Sequence, residues 1–208
     1  MTRVGGERVE ESRGAWTRGG FVRLAGGAGA ALAGGIAIAA GGGDPVSRAA
    51  PSEQQDVRLL NFFLLLERLQ EGLYGQAVER GAVSGALLRF ATAALGQERQ
   101  HIRILEDRLG GNAETAPDAT FDAPLESPDG FKRAAIELEE SGLAAYIAYG
   151  ARLTRPAVAA IVPIISVDAR HAAWVRDVAG VGPAPRAADP PRESQAILDD
   201  LRTQGLMG

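Results

Sequence analysis

The chain has two histidines, and each follows a carboxylate by three residues: Glu98 and His101 in "GQERQHIRIL", Asp168 and His171 in "SVDARHAAWV". Residues three apart on a helix are neighbours on one face, so each pair can grip a single cation. Two more carboxylates stand in matched places, Glu67 ahead of Glu98 and Glu139 ahead of Asp168, at nearly equal separations. Tyr74 follows Glu67 by seven residues, and Tyr146 follows Glu139 by seven. The pattern carboxylate, tyrosine, carboxylate–x–x–histidine is therefore written twice, as an internal repeat of one helical hairpin.

One Glu from each of two helices, plus an acid–x–x–His pair from each of two others, is the ligand set of di-iron and di-manganese carboxylate bundles. Glu67, Glu98, His101, Glu139, Asp168 and His171 are the candidate metal ligands, with Glu67 and Glu139 as bridging carboxylates and Glu98 and Asp168 as co-ligands of the imidazoles. Mixed oxygen and imidazole donors suit iron or manganese better than calcium, and zinc is the remaining candidate. Tyr74 and Tyr146 are placed to hydrogen-bond a ligand carboxylate. The competing reading is a solvated helix face, where an acid and a histidine make only a weak surface pair. Glu71, Glu137 and Glu140 are rival carboxylates. Glu140 points about 100° away from Glu139 on a helix, so only one of them faces the core.

Helices must position these groups. Ser52 and Gln55 form a capping box for a helix running to about Arg80,. Its centre, "LLNFFLLLERLQEGLY", is apolar nearly all round, as in an inner helix,. Ser84 starts a second helix that ends at Gly110 and Gly111,. The stretch "NAETAPDATFDAPLESPDG" has no periodicity and reads as a long crossover,. Ser127 and Pro128 open a third helix, to about Arg152, and Pro156 opens a fourth, to about Val178,. Pro163 inside the fourth predicts a kink or a later start. A short amphipathic piece, "ESQAILDDLRTQ", packs across the bundle. Two helical hairpins joined by one long crossover describe an all-α, ferritin-like four-helix bundle. The bundle is expected over residues 52–200, with 201–208 as a tail.

Composition narrows the function classes. The net charge is −4 with interspersed signs, which argues against a nucleic-acid partner,. Aromatics are 5%, too few for base-stacking platforms,. Cysteine is absent, which removes disulfides, thiolate metal sites and a cysteine nucleophile,. Residues 1–51 read as an export signal and linker: arginines in 1–23, then the weakly apolar "LAGGAGAALAGGIAIAA", with Ala37 and Ala39 as an A-x-A exit,. "TRGGFVRLAGG" resembles a twin-arginine signal, with Gly19 where the second arginine belongs. The expected location is outside the cytoplasm: periplasmic, bound to the cell wall or extracellular. Contact with a membrane is expected only through an uncleaved signal. Metal ions are the expected partners, and a homo-oligomer is compatible with the sequence.

The segments "LNFFLLLERLQEGLYGQAV", "QERQHIRIL", "LEESGLAAYIAYGA" and "ISVDARHAAWVRDVAG" resemble the ferritin-like family that includes plant desiccation-related proteins and many exported bacterial proteins. The resemblance covers roughly residues 52–200 and implies the bundle fold and a dinuclear site. Where that family's pattern has Glu-x-x-His, this chain has Asp168, one methylene shorter, which implies either terminal binding to one metal instead of bridging or a weaker hold on the second metal. A di-metal oxidoreductase that oxidises Fe(II) or consumes peroxide follows from the ligand set. An exported stress-protective bundle with a degenerate or structural metal site is the alternative. Iron storage in a cage ranks last, because no cage-forming surface is legible.

Overall fold

The computed structural model describes residues 50–115 and 119–207. The export reading of the amino-terminal segment lies outside them. Helix α1 (Glu53–Glu79) starts where expected: Ser52 has extended backbone and its hydroxyl accepts from the Gln55 amide at 3.2 Å. Glu53 and Asp56 in the first turn complement the positive end of the helix dipole,. Gly81, at φ +63°, turns the chain toward α2 (Gly85–Leu109), and Gly110, at φ +56°, ends that helix,.

The crossover holds one more element than expected, the short helix α3 (Asp122–Leu125). Its last carbonyls sit under α4 (Pro128–Tyr149). A Cβ on Gly130 would lie 2.6 Å from the Pro124 carbonyl oxygen, so only glycine allows the approach. Ser127 caps α4 by accepting from the Gly130 amide at 3.0 Å,. A single 3₁₀ turn, Gly150–Arg152, leads to α5 (Arg155–Val178). The Asp56 carboxylate, from α1, accepts from the Thr154 amide at 2.9 Å and so ties the start of α5 to the first helix.

Pro163 does not delay or break α5, contrary to expectation. Proline deprives the carbonyl four residues back of its donor. That residue, Ala159, and Pro163 itself are both exposed, so water can serve the freed oxygen. By length and composition α5 could cross a membrane. In the bundle, however, it turns Asp168 and His171 inward.

Helix α6 (Ser194–Thr203) runs past residue 200, and the bundle therefore extends into the expected tail. Ile197 and Leu201, one turn apart, are buried on one face. Gly205 then reverses the chain, and Leu206 tucks back with its amide 2.8 Å from the Leu201 carbonyl,.

The four long helices form a closed square: α1 packs on α2, α2 on α5, α5 on α4 and α4 on α1. Phe63, Leu66, Leu73, Phe90, Phe131 and Leu138 fill the interior. Burial of these apolar groups is the main stabilising force, and it fixes which helix faces point inward. The polar residues in that interior all belong to a few inward positions, and most of them meet at one place.

Candidate metal centre

Glu67 comes from α1, Glu98 and His101 from α2, Glu139 from α4, and Asp168 and His171 from α5. None is more than 4% exposed, so the solvated-face reading fails for all six. Their ligand atoms form two overlapping groups. Glu67, Glu98, His101 and Asp168 have atoms within 4.8 Å of one another, as do Glu98, Glu139, Asp168 and His171. Glu98 and Asp168 belong to both groups, while each histidine and each single glutamate belongs to one. The shared pair thus differs from the sequence expectation, which gave the bridging positions to Glu67 and Glu139.

The reason is the crossing of α2 and α5. His101 Nδ1 lies 3.3 Å from Asp168 Oδ1, and His171 Nδ1 lies 2.9 Å from Glu98 Oε1. As numbering rises by three on one helix it falls by three on the other, which is antiparallel pairing. Each acid therefore sits between its own histidine and the histidine of the opposite helix. Spacing along one helix shows the first neighbour and not the second. Asp168, despite its shorter arm, reaches both groups.

The tyrosines obey the same rule on the other side of the square. Tyr74 donates to Glu139 Oε1 and Tyr146 donates to Glu67 Oε1, both at 2.5 Å. Seven residues span about 10 Å of helix, too far for a tyrosine to reach the glutamate of its own helix. Antiparallel α1 and α4 bring each tyrosine to the other's glutamate. In Glu67 one oxygen is held and the other faces the cluster, with Oε2 3.1 Å from His101 Nδ1; in Glu139 the oxygen that Tyr74 holds, Oε1, is also the one 3.6 Å from His171 Nδ1. Burial, then the charge of Glu139, raises the Tyr74 hydroxyl well above its usual range, and burial, then Glu67, does the same for Tyr146. Both phenols stay protonated donors.

The electrostatics of the cluster call for positive charge. Four carboxylates are gathered in a dry interior, where charged groups must be paired. Both oxygens of Asp168, Glu98 Oε1 and His171 Nδ1 are buried with no hydrogen-bond partner. His171 Nε2 is engaged by Gln97 Oε1. As Gln97 Oε1 is an acceptor, the ring proton sits on Nε2. Nδ1 then presents a bare lone pair to Glu98 Oε1, an arrangement that needs a cation between them or, without one, a proton on Glu98.

The remaining groups share protons. Burial pushes His101 down, but the hydrogen bonds its ring donates to Glu67 and Glu98 outweigh it and raise it to about 10. Its Nδ1 proton faces Glu98 Oε2 at 2.8 Å as well as Glu67 and Asp168, occupying the place of a cation. Burial, followed by the charge of Glu98, raises Glu139 to about 8. Burial and the charge of Glu67 raise both Glu98 and Asp168 well above the carboxylate range. Glu67 is the exception: burial pushes it up, and the His101 hydrogen bond brings it below its ordinary value. His171 is lowered by burial and stays neutral. Once the cluster gives up these protons, two neutral imidazoles and four carboxylates match the charge of two divalent ions, and the donor set fits them.

The rival carboxylates face outward. Glu71 pairs with Arg99 at 2.9 Å, Glu140 with Arg176 at 2.6 Å and Glu137 with Arg192 at 3.0 Å. Two amides escaped the sequence reading. Gln70 is fully buried and donates to Glu139 Oε2 at 3.1 Å. Gln97 holds His171. A signal for Gln70 was present, since it lies three residues after Glu67 and four before Tyr74, on one helix face,. Gln97 carried none.

Among the apolar residues of these helices, Phe63 and Leu66 are core, whereas Ile136 and Ile165 are only half-buried. Phe90 closes the His171 end, edge-on to the imidazole with centroids 6.3 Å apart.

A search of curated proteins finds no match to this chain. The sequence profile of the ferritin-like domain matches residues 55–181, a span that takes in all four long helices nearly whole and every one of the six clustered side chains, and the chain belongs to the ferritin-like domain family.

Proposed function

We propose that the cluster binds two transition-metal ions, iron or manganese, and that the protein is a di-metal oxidoreductase that oxidises Fe(II) or consumes peroxide. The observation that carries this reading is the set of buried, unpartnered acceptors on Glu98, Asp168 and His171, all turned to one point. When bound, such ions supply Lewis acidity and electron transfer toward oxygen or peroxide.

The chain's own residues would then divide the work. Glu98 and Asp168 span both ion positions. His101 and Glu67 complete one, and His171 and Glu139 the other. Tyr146 orients Glu67 by donating to one oxygen and leaving the other turned to the ion, while Tyr74 and Gln70 fix Glu139 by donating one bond to each of its oxygens. Phe63, Phe90 and Phe131 keep bulk water away from the cluster. The assignment of these six residues as ligands, the metal's identity and an exported location signalled by residues 1–51 belong to this proposal.

The test is anaerobic addition of Fe(II), then oxygen or peroxide, followed by ferric absorbance. Ferric iron should form faster than in buffer, and Asp168→Asn should abolish the gain. Wild-type protein no faster than buffer would overturn the reading. Protein that takes up only zinc would leave the cluster a structural role.

A further inference from the structure

The two ion positions have different surroundings. Gln97 immediately precedes Glu98, and the residue that matches it in the repeat, immediately before Asp168, is Val167. Gln97 engages His171 Nε2. Val167 is apolar and offers His101 nothing, and among the described residues no group bonds His101 Nε2. At this unplugged position the surface opens. A groove of about 240 Å³ between α2 and α5 is lined by Ile104, Pro163, Ile164 and Val167, by the amides of Gln97 and Gln100, and by the His101 ring. Its outer residues Ile104 and Pro163 are exposed, and its inner residues His101 and Ile164 are buried. The opposite side of the cluster is shut by the Tyr74, Tyr146 and Gln70 bonds.

The lining contains no Asp, Glu, Lys or Arg. An uncharged, mostly apolar passage suits a small neutral solute better than a hydrated cation, whose desolvation such walls would not repay. The groove is also below the roughly 300–1,000 Å³ of pockets that enclose drug-sized ligands. We infer that this groove is the route by which a small neutral oxygen species, dioxygen or hydrogen peroxide, reaches the cluster, arriving at the His101 position while Gln97 closes the His171 position. The inference rests on the metal reading above.

Binding kinetics of nitric oxide, a neutral diatomic, to the anaerobic Fe(II)-loaded protein test it without turnover. Ile104→Trp fills the groove. Val167→Gln places an amide opposite Gln97, where it can bond His101 Nε2 and plug the opening. Each variant should hold as much iron as the wild type and reach the same final absorbance, with an association rate lower by about tenfold or more. If Ile104→Trp does not fold, Val167→Gln decides alone. Full iron loading and a wild-type rate in the folded variants would overturn the groove and leave the metal reading standing. Absence of an iron–nitrosyl signal in the wild type would overturn the metal reading, and this inference with it.

Discussion

Glu139→Gln should make the metal-free protein more stable and the metal-loaded protein less so. In the unfolded chain Glu139 titrates near 4.5, and in the folded metal-free cluster near 8. A carboxylate raised in this way contributes its stability below the unfolded value and loses it as pH rises through the folded one. At pH 7 holding the proton costs about 1.4 kcal/mol for each pH unit above 4.5, or about 3 kcal/mol. Glutamine escapes that cost. It loses one acceptor, however, and the Tyr74 hydroxyl and the Gln70 amide both need one. A lost hydrogen bond costs about 1 kcal/mol, so the net gain is about 2 kcal/mol. That corresponds to a Tm higher by roughly 4–8 °C for a domain of this size.

At pH 5 the same arithmetic leaves less than about 1 kcal/mol, which the lost hydrogen bond cancels. Ions reverse the order, because a ligand bound a thousandfold above its Kd adds about 4 kcal/mol. The wild type, with its full ligand set, should gain most of that, and the variant much less. The assay is thermal unfolding by circular dichroism at pH 5 and 7, with chelator and with Mn(II). A chelated variant less stable than wild type at pH 7, or a gain that does not shrink at pH 5, would refute the reasoning.

Other consequences follow from the same geometry. Metal affinity should rise with pH through about 8 and on toward about 10, since Glu139, the raised Glu98 and Asp168, and the His101 imidazolium must all lose protons to bind; calorimetry in buffers of different ionisation enthalpy should show proton release, and release of none would contradict the shifts,. Tyr146→Phe frees Glu67 Oε1 and should weaken metal binding by about 10–100-fold without preventing folding, as measured by competition with a chromogenic chelator,. Gly130→Ala drives a methyl against the Pro124 carbonyl and should destabilise the protein by about 1–3 kcal/mol in urea unfolding, with metal stoichiometry unchanged,.

The parts of this molecule that were legible in its sequence are those set by local physics. Ser52, Ser127, Gly81 and Gly110 mark helix ends because caps and turns are short-range chemistry, and the apolar run around Phe63 fixes an inward face. The six clustered side chains were legible because the hairpin is repeated: a single acid-x-x-His would be ambiguous, whereas two with matched partners are not. The sequence was silent where the cause lies between helices. That Glu98 and Asp168 are shared, and that each tyrosine serves the other hairpin's glutamate, follows from antiparallel crossings that no spacing along one helix records. Gln97 was passed over because an uncharged amide announces no chemistry until its partner is known, and Gln70 was marked only by its place on the Glu67–Tyr74 face. The short helix in the crossover lacks periodicity, and Pro163 is tolerated because its side of α5 faces water.

The central claim is that four carboxylates and two imidazoles hold a pair of ions, and the amount of metal per chain tests it most directly. Protein reconstituted anaerobically with Fe(II) or Mn(II), desalted and measured by elemental analysis should carry two ions per chain, falling below one in Glu98→Gln, whose carboxylate serves both positions,. A folded wild-type protein that retains neither metal, or a Glu98→Gln protein that still retains two, would contradict it.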